Sequence, residues 1–215
     1  MIYVMSDIHG EYDRYKGMLN LIRFSCEDTL YILGDVIDRK PGGVDILHDI
    51  MSRKNVIMLL GNHEQMCLDT LGPKQVTGAK QLWDFNGGEV TRNELLHFCD
   101  AADRRAILEY LISLPDHLDI TVGVQKYHLV HGFPAETHED RIWGRPDEGE
   151  YKKPFNDKIA IIGHTPSFFL RGYDGMPFRI AYGDGIIDID CGCGHDHELR
   201  RLACLRLDDF EEFYI

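Results

Sequence analysis

The order of strand-like and helix-like segments predicts an α/β fold for this chain. Three short apolar runs in the first third are predicted strands, and between them lie two segments whose apolar residues recur at helical spacing. A strand–helix–strand–helix–strand order indicates parallel strands joined by crossover helices. The predicted strands are Ile2–Met5, Thr29–Leu33 and Val56–Leu60, and the predicted helices are Glu11–Ile22 and Val44–Met51.

The rest of the chain is helical at first and then rich in strands. Gly72–Gly88 holds several glycines and is predicted to be mostly loop, Thr91 with Glu94 is typical of a capping box that opens a helix, and Ala102–Leu114 is a helix stopped by Pro115. The later predicted strands are Leu118–Val122, Tyr127–Val130, Lys158–Ile162, Ile186–Ile189 and Leu202–Leu207, with a surface excursion at Glu136–Asp157. We find no linker or repeat and expect one domain over residues 1–215.

The charge and hydropathy patterns exclude several classes of partner. The formal net charge is −13, from 23 basic and 36 acidic residues, which disfavours binding to nucleic acid or to anionic membranes. No apolar run approaches the length that spans a bilayer, and the N-terminus lacks the basic start of a signal peptide. We therefore expect a cytoplasmic protein, while the oligomeric state stays open.

Five short segments carry metal-binding or charged residues immediately after strand-like runs. They are Asp7-Ile8-His9-Gly10, Gly34-Asp35-Val36-Ile37-Asp38-Arg39, Gly61-Asn62-His63-Glu64, His131-Gly132 and Gly163-His164-Thr165-Pro166. Ligands of open α/β sheets bind beyond the carboxyl ends of the strands, so these segments should meet at one site. Any one of these residues alone could be a helix cap or a core histidine, but five such segments in order favour a site.

Six of these residues form a mixed oxygen and nitrogen donor set that suits transition metals. They are Asp7, His9, Asp35, Asn62, His131 and His164. Imidazole with carboxylate favours manganese, iron, zinc or cobalt over calcium or magnesium. Six ligands are too many for one catalytic ion that keeps an open position, so we expect two divalent ions that share one carboxylate, with manganese favoured. Such a pair would activate water for direct attack on a phosphomonoester.

Four further residues are candidates for proton transfer and phosphate binding. His63 follows the ligand Asn62 without being needed as a ligand, so it is the candidate general acid, oriented by Asp38. Arg39 and Arg145 could hold phosphate oxygens through paired hydrogen bonds. The turn with Cys191, Cys193, His195 and His197 could suggest another metal site, but a solvated turn is favoured because no second cysteine pair exists.

The segments together resemble the signature of the phosphoprotein phosphatase family of calcineurin-like metallophosphoesterases. The chain is most similar to the small bacterial and phage lambda serine/threonine protein phosphatases. The similarity lies in the chain length and in two segments, Ile142-Trp143-Gly144-Arg145 and Leu82-Trp83 before Asn86-Gly87-Gly88. The resemblance implies a sandwich of two β-sheets flanked by helices. It also implies that Asp7, His9 and Asp35 hold one metal, and that Asp35, Asn62, His131 and His164 hold the other. Lys40 departs from the glycine that usually follows the motif arginine.

The motifs leave the substrate open. We expect phosphoserine and phosphothreonine in proteins or peptides, because an acidic segment flanks the expected site and would repel a polyanion. That segment carries Glu136, Glu139, Asp140, Asp147, Glu148 and Glu150. A symmetrical dinucleoside tetraphosphate hydrolase is the alternative enzyme, and a degenerate, metal-bound interaction module is the alternative from another class.

Overall fold

The first half of the chain builds a parallel sheet with crossover helices. The computed structural model describes residues 1–146, 153–171 and 178–215. Its first elements are β1 (Ile2–Met5), α1 (Tyr12–Leu21), β2 (Thr29–Ile32), α2 (Gly43–Met51), β3 (Val56–Met58) and α3 (Asn62–Leu71). Strand β2 pairs in parallel with β1 on one side and β3 on the other, which confirms the predicted βαβαβ unit.

The middle of the chain is more helical than the sequence predicted. It forms α4 (Ala79–Phe85), α5 (Glu89–His97) and α6 (Ala101–Ser113). The loop prediction for Gly72–Gly88 was wrong over seven residues, because the buried Trp83 anchors a short helix that glycine content alone disfavours. The capping-box prediction for Thr91 and Glu94 was also wrong: α5 begins at Glu89, before both residues, and their side chains bind other loops.

The second half supplies a second sheet and completes the first. Its elements are β4 (His117–Val122), β5 (Gln125–Val130), α7 (His138–Trp143), β6 (Ile159–Ile162), α8 (Phe168–Arg171), β7 (Ala181–Gly183), β8 (Ile186–Asp188), β9 (Ala203–Arg206) and β10 (Glu212–Tyr214). The strand orders are β10-β9-β1-β2-β3 and β4-β5-β6-β8-β7. The Glu136–Asp157 segment, predicted as a surface excursion, contains α7 with Ile142 buried, and residues 147–152 lie outside the described residues.

The two sheets pack face to face through alternating residues of their strands. On β1, Val4 joins the cluster between the sheets, whereas its neighbours Tyr3 and Met5 join the cluster beneath the helices. Leu129 of β5 and Ile161 of β6 meet Val4 from the second sheet. Strand β1 thus buries both faces, which explains why it is a short continuous apolar run. This is the expected sandwich of two mixed sheets flanked by helices.

Among the described residues, every helix is too short or too polar to span a lipid bilayer.

Candidate metal centre and catalytic dyad

The five sequence segments meet where the two sheets come together. The Asp7 loop follows β1, and Asp35 follows β2. His9 N donates to Asp35 O at 2.9 Å, which ties these two loops. From the second sheet, the His164 backbone N–H donates to Asp7 Oδ2 at 3.0 Å, and Gly163 N donates to His131 O at 2.8 Å. Loops from both sheets therefore contribute to one site, as the sequence predicted.

The backbone at this site is held in an unusual conformation. Six of the nominated residues have positive φ, between 49° and 74°: Asp7, His9, Asp35, Asp38, Arg39 and His164. Residues other than glycine rarely adopt this left-handed backbone conformation, and each such residue costs on the order of 1–3 kcal/mol. The surrounding hydrogen bonds maintain this strain, which aims the side chains at a common centre.

One half of the site is built around His9. Its Nδ1 lies 3.1 Å from the carbonyl of Ile37, which leaves Nε2 facing inward. That nitrogen is 3.9 Å from Asp7 Oδ1 and 3.7 Å from Asp35 Oδ2. Asp7 keeps Oδ1 for the site because its other oxygen accepts from Ser6 Oγ at 2.5 Å and from the backbone of His164. Carbonyl-anchored histidines of this kind are common metal ligands.

The other half is built around His131 and His164. The Nδ1 of His131 lies 2.8 Å from Leu33 O, and its Nε2 lies 2.9 Å from Asn62 Oδ1 and 3.3 Å from Asp35 Oδ1. The Nε2 of His164 is buried with no hydrogen-bond partner in the described part of the chain. Asp35, His131 and His164 could each offer one atom to a shared ion, all within 4.8 Å of one another.

The electrostatics of these groups fit divalent cations. Burial, reinforced by Arg39, lowers the pKa of His9 well below its ordinary value. Burial and the neighbouring His131 lower the pKa of His164 to about 3, so both imidazoles are neutral and can ligate. Burial opposes protonation of His131, but the charges of Asp35 and Asp7 outweigh it and raise its pKa to about 9. A pair of metal ions would supply the positive charge that buried carboxylates need.

His63 and Asp38 form a buried hydrogen-bonded dyad beside this centre. The Nδ1 of His63 is 2.7 Å from Asp38 Oδ2. Its Nε2 is 3.8 Å from Asp35 Oδ2 and 3.4 Å from Arg39 Nη2, so it faces the same space as the candidate ligand atoms. Burial opposes protonation, yet Asp35 and Asp38 raise the pKa of His63. His9, Asp35 and His63 could also each offer one ligand atom to an ion, all within 4.8 Å of one another. His9 lies near Asp7 as well.

The two nominated arginines occupy different environments. Arg39 is half-buried and points at the His63 ring. Arg145 is exposed, but it is close enough for its charge to contribute to the lowered pKa of His164. Trp143, two residues earlier, packs its ring edge-on against His164 at 5.8 Å between centroids. Phosphate binding by either arginine stays a prediction.

Glu64 is a structural element of the site to which the sequence interpretation gave no role. Its fully buried carboxylate accepts backbone N–H bonds from Asp35 at 2.9 Å, Val36 at 2.9 Å, Ile37 at 3.4 Å and Gly61 at 3.1 Å. It therefore ties the loop after β2, which carries Asp35 and Asp38, to the start of α3, which carries Asn62 and His63. Its place as the last residue of the Gly61-Asn62-His63-Glu64 motif was the available signal.

The turn after Asp190 lies over the first half of the site. A Cβ at Gly194 would fall 2.2 Å from the His9 ring, so the backbone of this turn packs directly on that ligand candidate. Cys191 and Cys193 are buried on opposite sides of the turn, in the two different core clusters. The groups of side chains that could hold an ion, within the described ranges, both include Asp35 and neither cysteine. Lys40, the departure noted above, forms an ion pair with Asp196 of this turn at 2.5 Å.

Comparison with known proteins agrees with the site. The family model for calcineurin-like phosphoesterases matches residues 1–199. The chain belongs to the calcineurin-like phosphoesterase family. The family consists of metal-dependent phosphoesterases, and the resemblance drawn from the motifs of this chain is confirmed.

Curated relatives of this phosphoesterase carry two kinds of name. It is 32% identical over 141 residues to serine/threonine-protein phosphatase 1 of Salmonella typhimurium, covering 64% of this chain and 62% of that protein. It is 31% identical over 186 residues to serine/threonine-protein phosphatase 2 of Escherichia coli, covering 80% and 78%. A symmetrical bis(5'-nucleosyl)-tetraphosphatase of Wigglesworthia glossinidia brevipalpis is 42% identical over only 64 residues, 29% of this chain and 24% of that protein.

The fold also matches solved structures. A metallophosphoesterase from Sphaerobacter thermophilus superposes with a TM-score of 0.61 at 19% identity, over 99% of this chain and 86% of that one.

Proposed function

We propose that this phosphoesterase hydrolyses phosphomonoesters with two divalent transition-metal ions, preferably manganese. The observation that carries the proposal is the position of Asp35. One of its oxygens faces His131 at 3.3 Å, and the other faces His9 and His63 at 3.7 and 3.8 Å. A single carboxylate directed at two clusters of imidazoles is the arrangement expected for a ligand shared between two ions. Asp7, His9, Asn62, His131 and His164 would complete the ligand set.

The chain's own residues supply binding and proton transfer. When bound, the two ions would polarise the phosphoryl group and activate water. Arg39 and Arg145 would hold the remaining phosphate oxygens, since a guanidinium can donate two parallel hydrogen bonds. Water forms the new P–O bond as the ester P–O bond breaks, and the leaving alkoxide takes a proton from His63 Nε2. Asp38 keeps the opposite nitrogen protonated and aimed.

We further propose phosphoserine and phosphothreonine residues of proteins as the substrates. The sequence matches to the two protein-phosphatase relatives span 64% and 80% of this chain, whereas the sequence match to the curated tetraphosphatase spans 64 residues. Helix α7, with the acidic residues Glu139 and Asp140, packs on the His131 loop, because Gly132 N donates to Arg141 O at 2.7 Å. A dinucleoside tetraphosphate would bring several charges toward these carboxylates, whereas a basic phosphopeptide would be attracted. Asp147, Glu148 and Glu150 of the same segment lie outside the described residues.

The test is competition between phosphopeptides and a dinucleoside tetraphosphate on enzyme of defined metal content. We expect the larger kcat/KM for the best basic phosphopeptide, and a larger salt-dependent loss for basic than for neutral peptides. Glu136→Lys should lower kcat/KM for basic peptides, whereas Glu109→Lys, an equal charge change at an exposed position of α6, should not. A kcat/KM for the tetraphosphate well above that of every phosphopeptide would overturn the substrate assignment.

A further inference from the structure

Trp83 makes an unusual contact with the proposed acid dyad. The indole is fully buried, and its Nε1–H donates to Asp38 Oδ2 at 2.7 Å. This is the oxygen that His63 Nδ1 contacts, also at 2.7 Å. The other oxygen, Asp38 Oδ1, is buried and has no hydrogen-bond partner among the residues that the structure describes. Both donors therefore fix one carboxylate oxygen in place.

The segment around Trp83 also holds the backbone of the dyad loop. Asp38 N donates to the hydroxyl of Thr91 at 2.8 Å, and Arg39 N donates to the carbonyl of Gly87 at 3.0 Å. Both residues of the loop have positive φ, at 74° and 66°, so these bonds help to maintain a strained conformation.

Gly88 makes room for the indole. A Cβ there would fall 2.1 Å from the Trp83 ring, so the glycine lets the α4–α5 junction close onto the ring. The junction thus holds the indole against Asp38.

We propose that Trp83 is a positioning residue for proton donation, acting through Asp38 on His63. This inference rests on the proposed role of His63 as the acid that protonates the leaving group. The indole does not reach the reacting atoms. Its N–H anchors the carboxylate, the carboxylate orients the imidazole, and the imidazole presents Nε2 to the leaving oxygen. Small displacements of such a group are costly, since about 1 Å of misplacement can reduce a rate by about 10²-fold.

The experiment uses Trp83→Phe, which keeps an aromatic ring and removes the N–H. With saturating metal, kcat is measured on an alkyl phosphate, whose leaving group needs a proton, and on nitrophenyl phosphate, whose leaving group does not. We expect a loss of about 10–10²-fold on the alkyl ester and less than about 3-fold on the nitrophenyl ester. Thr91→Val provides a second variant, because it removes the acceptor of Asp38 N without removing the ring, and the same selective loss is expected.

The matched control is Tyr15→Phe. It removes another buried aromatic donor to a carboxylate, the Tyr15 hydroxyl bond to Asp49 Oδ2 at 2.8 Å, between two helices that carry neither dyad residue. It should reduce stability while leaving the ratio of the two rates unchanged. In the double variant Trp83→Phe/His63→Asn, the alkyl ester rate should equal that of His63→Asn alone.

The outcomes separate the two proposals. Equal losses on both esters in Trp83→Phe and in Thr91→Val, or additive losses in the double variant, would overturn the positioning role of Trp83. If His63→Asn itself lowers both rates equally, the acid assignment under the proposed function fails first. A selective loss in His63→Asn with none in either positioning variant refutes the inference about Trp83 alone.

Discussion

Replacing Glu64 by glutamine should loosen the loops that carry the proposed metal ligands without changing any ligand candidate. In the native chain, Oε1 accepts from Val36 N and Ile37 N, and Oε2 accepts from Asp35 N and Gly61 N. A glutamine has one acceptor oxygen, and its amide nitrogen can only donate. In either orientation of the amide, two buried backbone donors therefore face another donor.

The expected magnitude follows from those two donors. A buried N–H without a partner costs about 1–3 kcal/mol, so Glu64→Gln should lower the free energy of unfolding by roughly 2–6 kcal/mol. The lower end applies if the amide nitrogen faces Val36 and Ile37, since the bond to Ile37 is long at 3.4 Å. The other orientation releases Asp35 N and should also weaken Mn²⁺ binding, because Asp35 holds a positive φ of 52°.

Urea denaturation and calorimetric Mn²⁺ titration measure the two effects. Glu94→Gln is the matched control, since Glu94 also accepts two backbone bonds, from Gly42 N at 2.7 Å and Val44 N at 3.4 Å. Each of those donors uses a different oxygen, so the glutamine can keep the short bond and should lose only about 1 kcal/mol. Equal losses of stability in the two variants, with unchanged Mn²⁺ affinity in Glu64→Gln, would refute this account of Glu64.

Other predictions concern phosphate binding and pH dependence. Arg39→Ala and Arg145→Ala should each weaken inhibition by inorganic phosphate, and lysine should restore it only partly because it lacks the planar fork; unchanged inhibition and turnover in Arg145→Ala would place that side chain outside the site. The Asp49 carboxylate accepts hydrogen bonds from Tyr15, Lys16 and Arg53. Burial raises the pKa of this carboxyl, but the three donors outweigh burial and hold the pKa well below 3.8. Asp49→Asn should therefore lower the free energy of unfolding by about 1–3 kcal/mol at pH 7. This loss of stability should shrink as the pH falls below 3.8, because the carboxyl takes up a proton in the unfolded chain before it does so in the folded protein. Denaturation curves that show a constant loss of stability down to pH 2 would contradict the prediction.

The ligand candidates could be predicted because each one follows a strand whose apolar run is visible in the sequence. The order of strands brings Asp7, Asp35 and Asn62 to one edge of the first sheet, and the same rule places His131 and His164 at the edge of the second. The position of strand ends does not predict how each histidine ring is oriented. His9 is directed inward by the carbonyl of Ile37, and His131 by that of Leu33, 98 residues earlier in the chain.

The supporting residues were missed because their partners are distant in sequence. Thr91 has the spacing of a capping box with Glu94, yet its hydroxyl accepts from Asp38, 53 residues away. Trp83 lies in a glycine-rich segment that local propensity assigns to a loop, and its packing against Gly88 and Asp38 helps to stabilise α4. Tertiary contacts outweighed local preference at both positions.

Anomalous diffraction from crystals loaded with Mn²⁺ tests the central claim most directly. We predict two peaks separated by about 3.5–4 Å, with Asp35 between them. Asp7 and His9 should ligate the first ion, and Asn62, His131 and His164 the second, while His63 stays hydrogen-bonded to Asp38 without a metal bond. A single peak in fully loaded, active crystals, or a peak ligated by His63, would contradict the proposed centre.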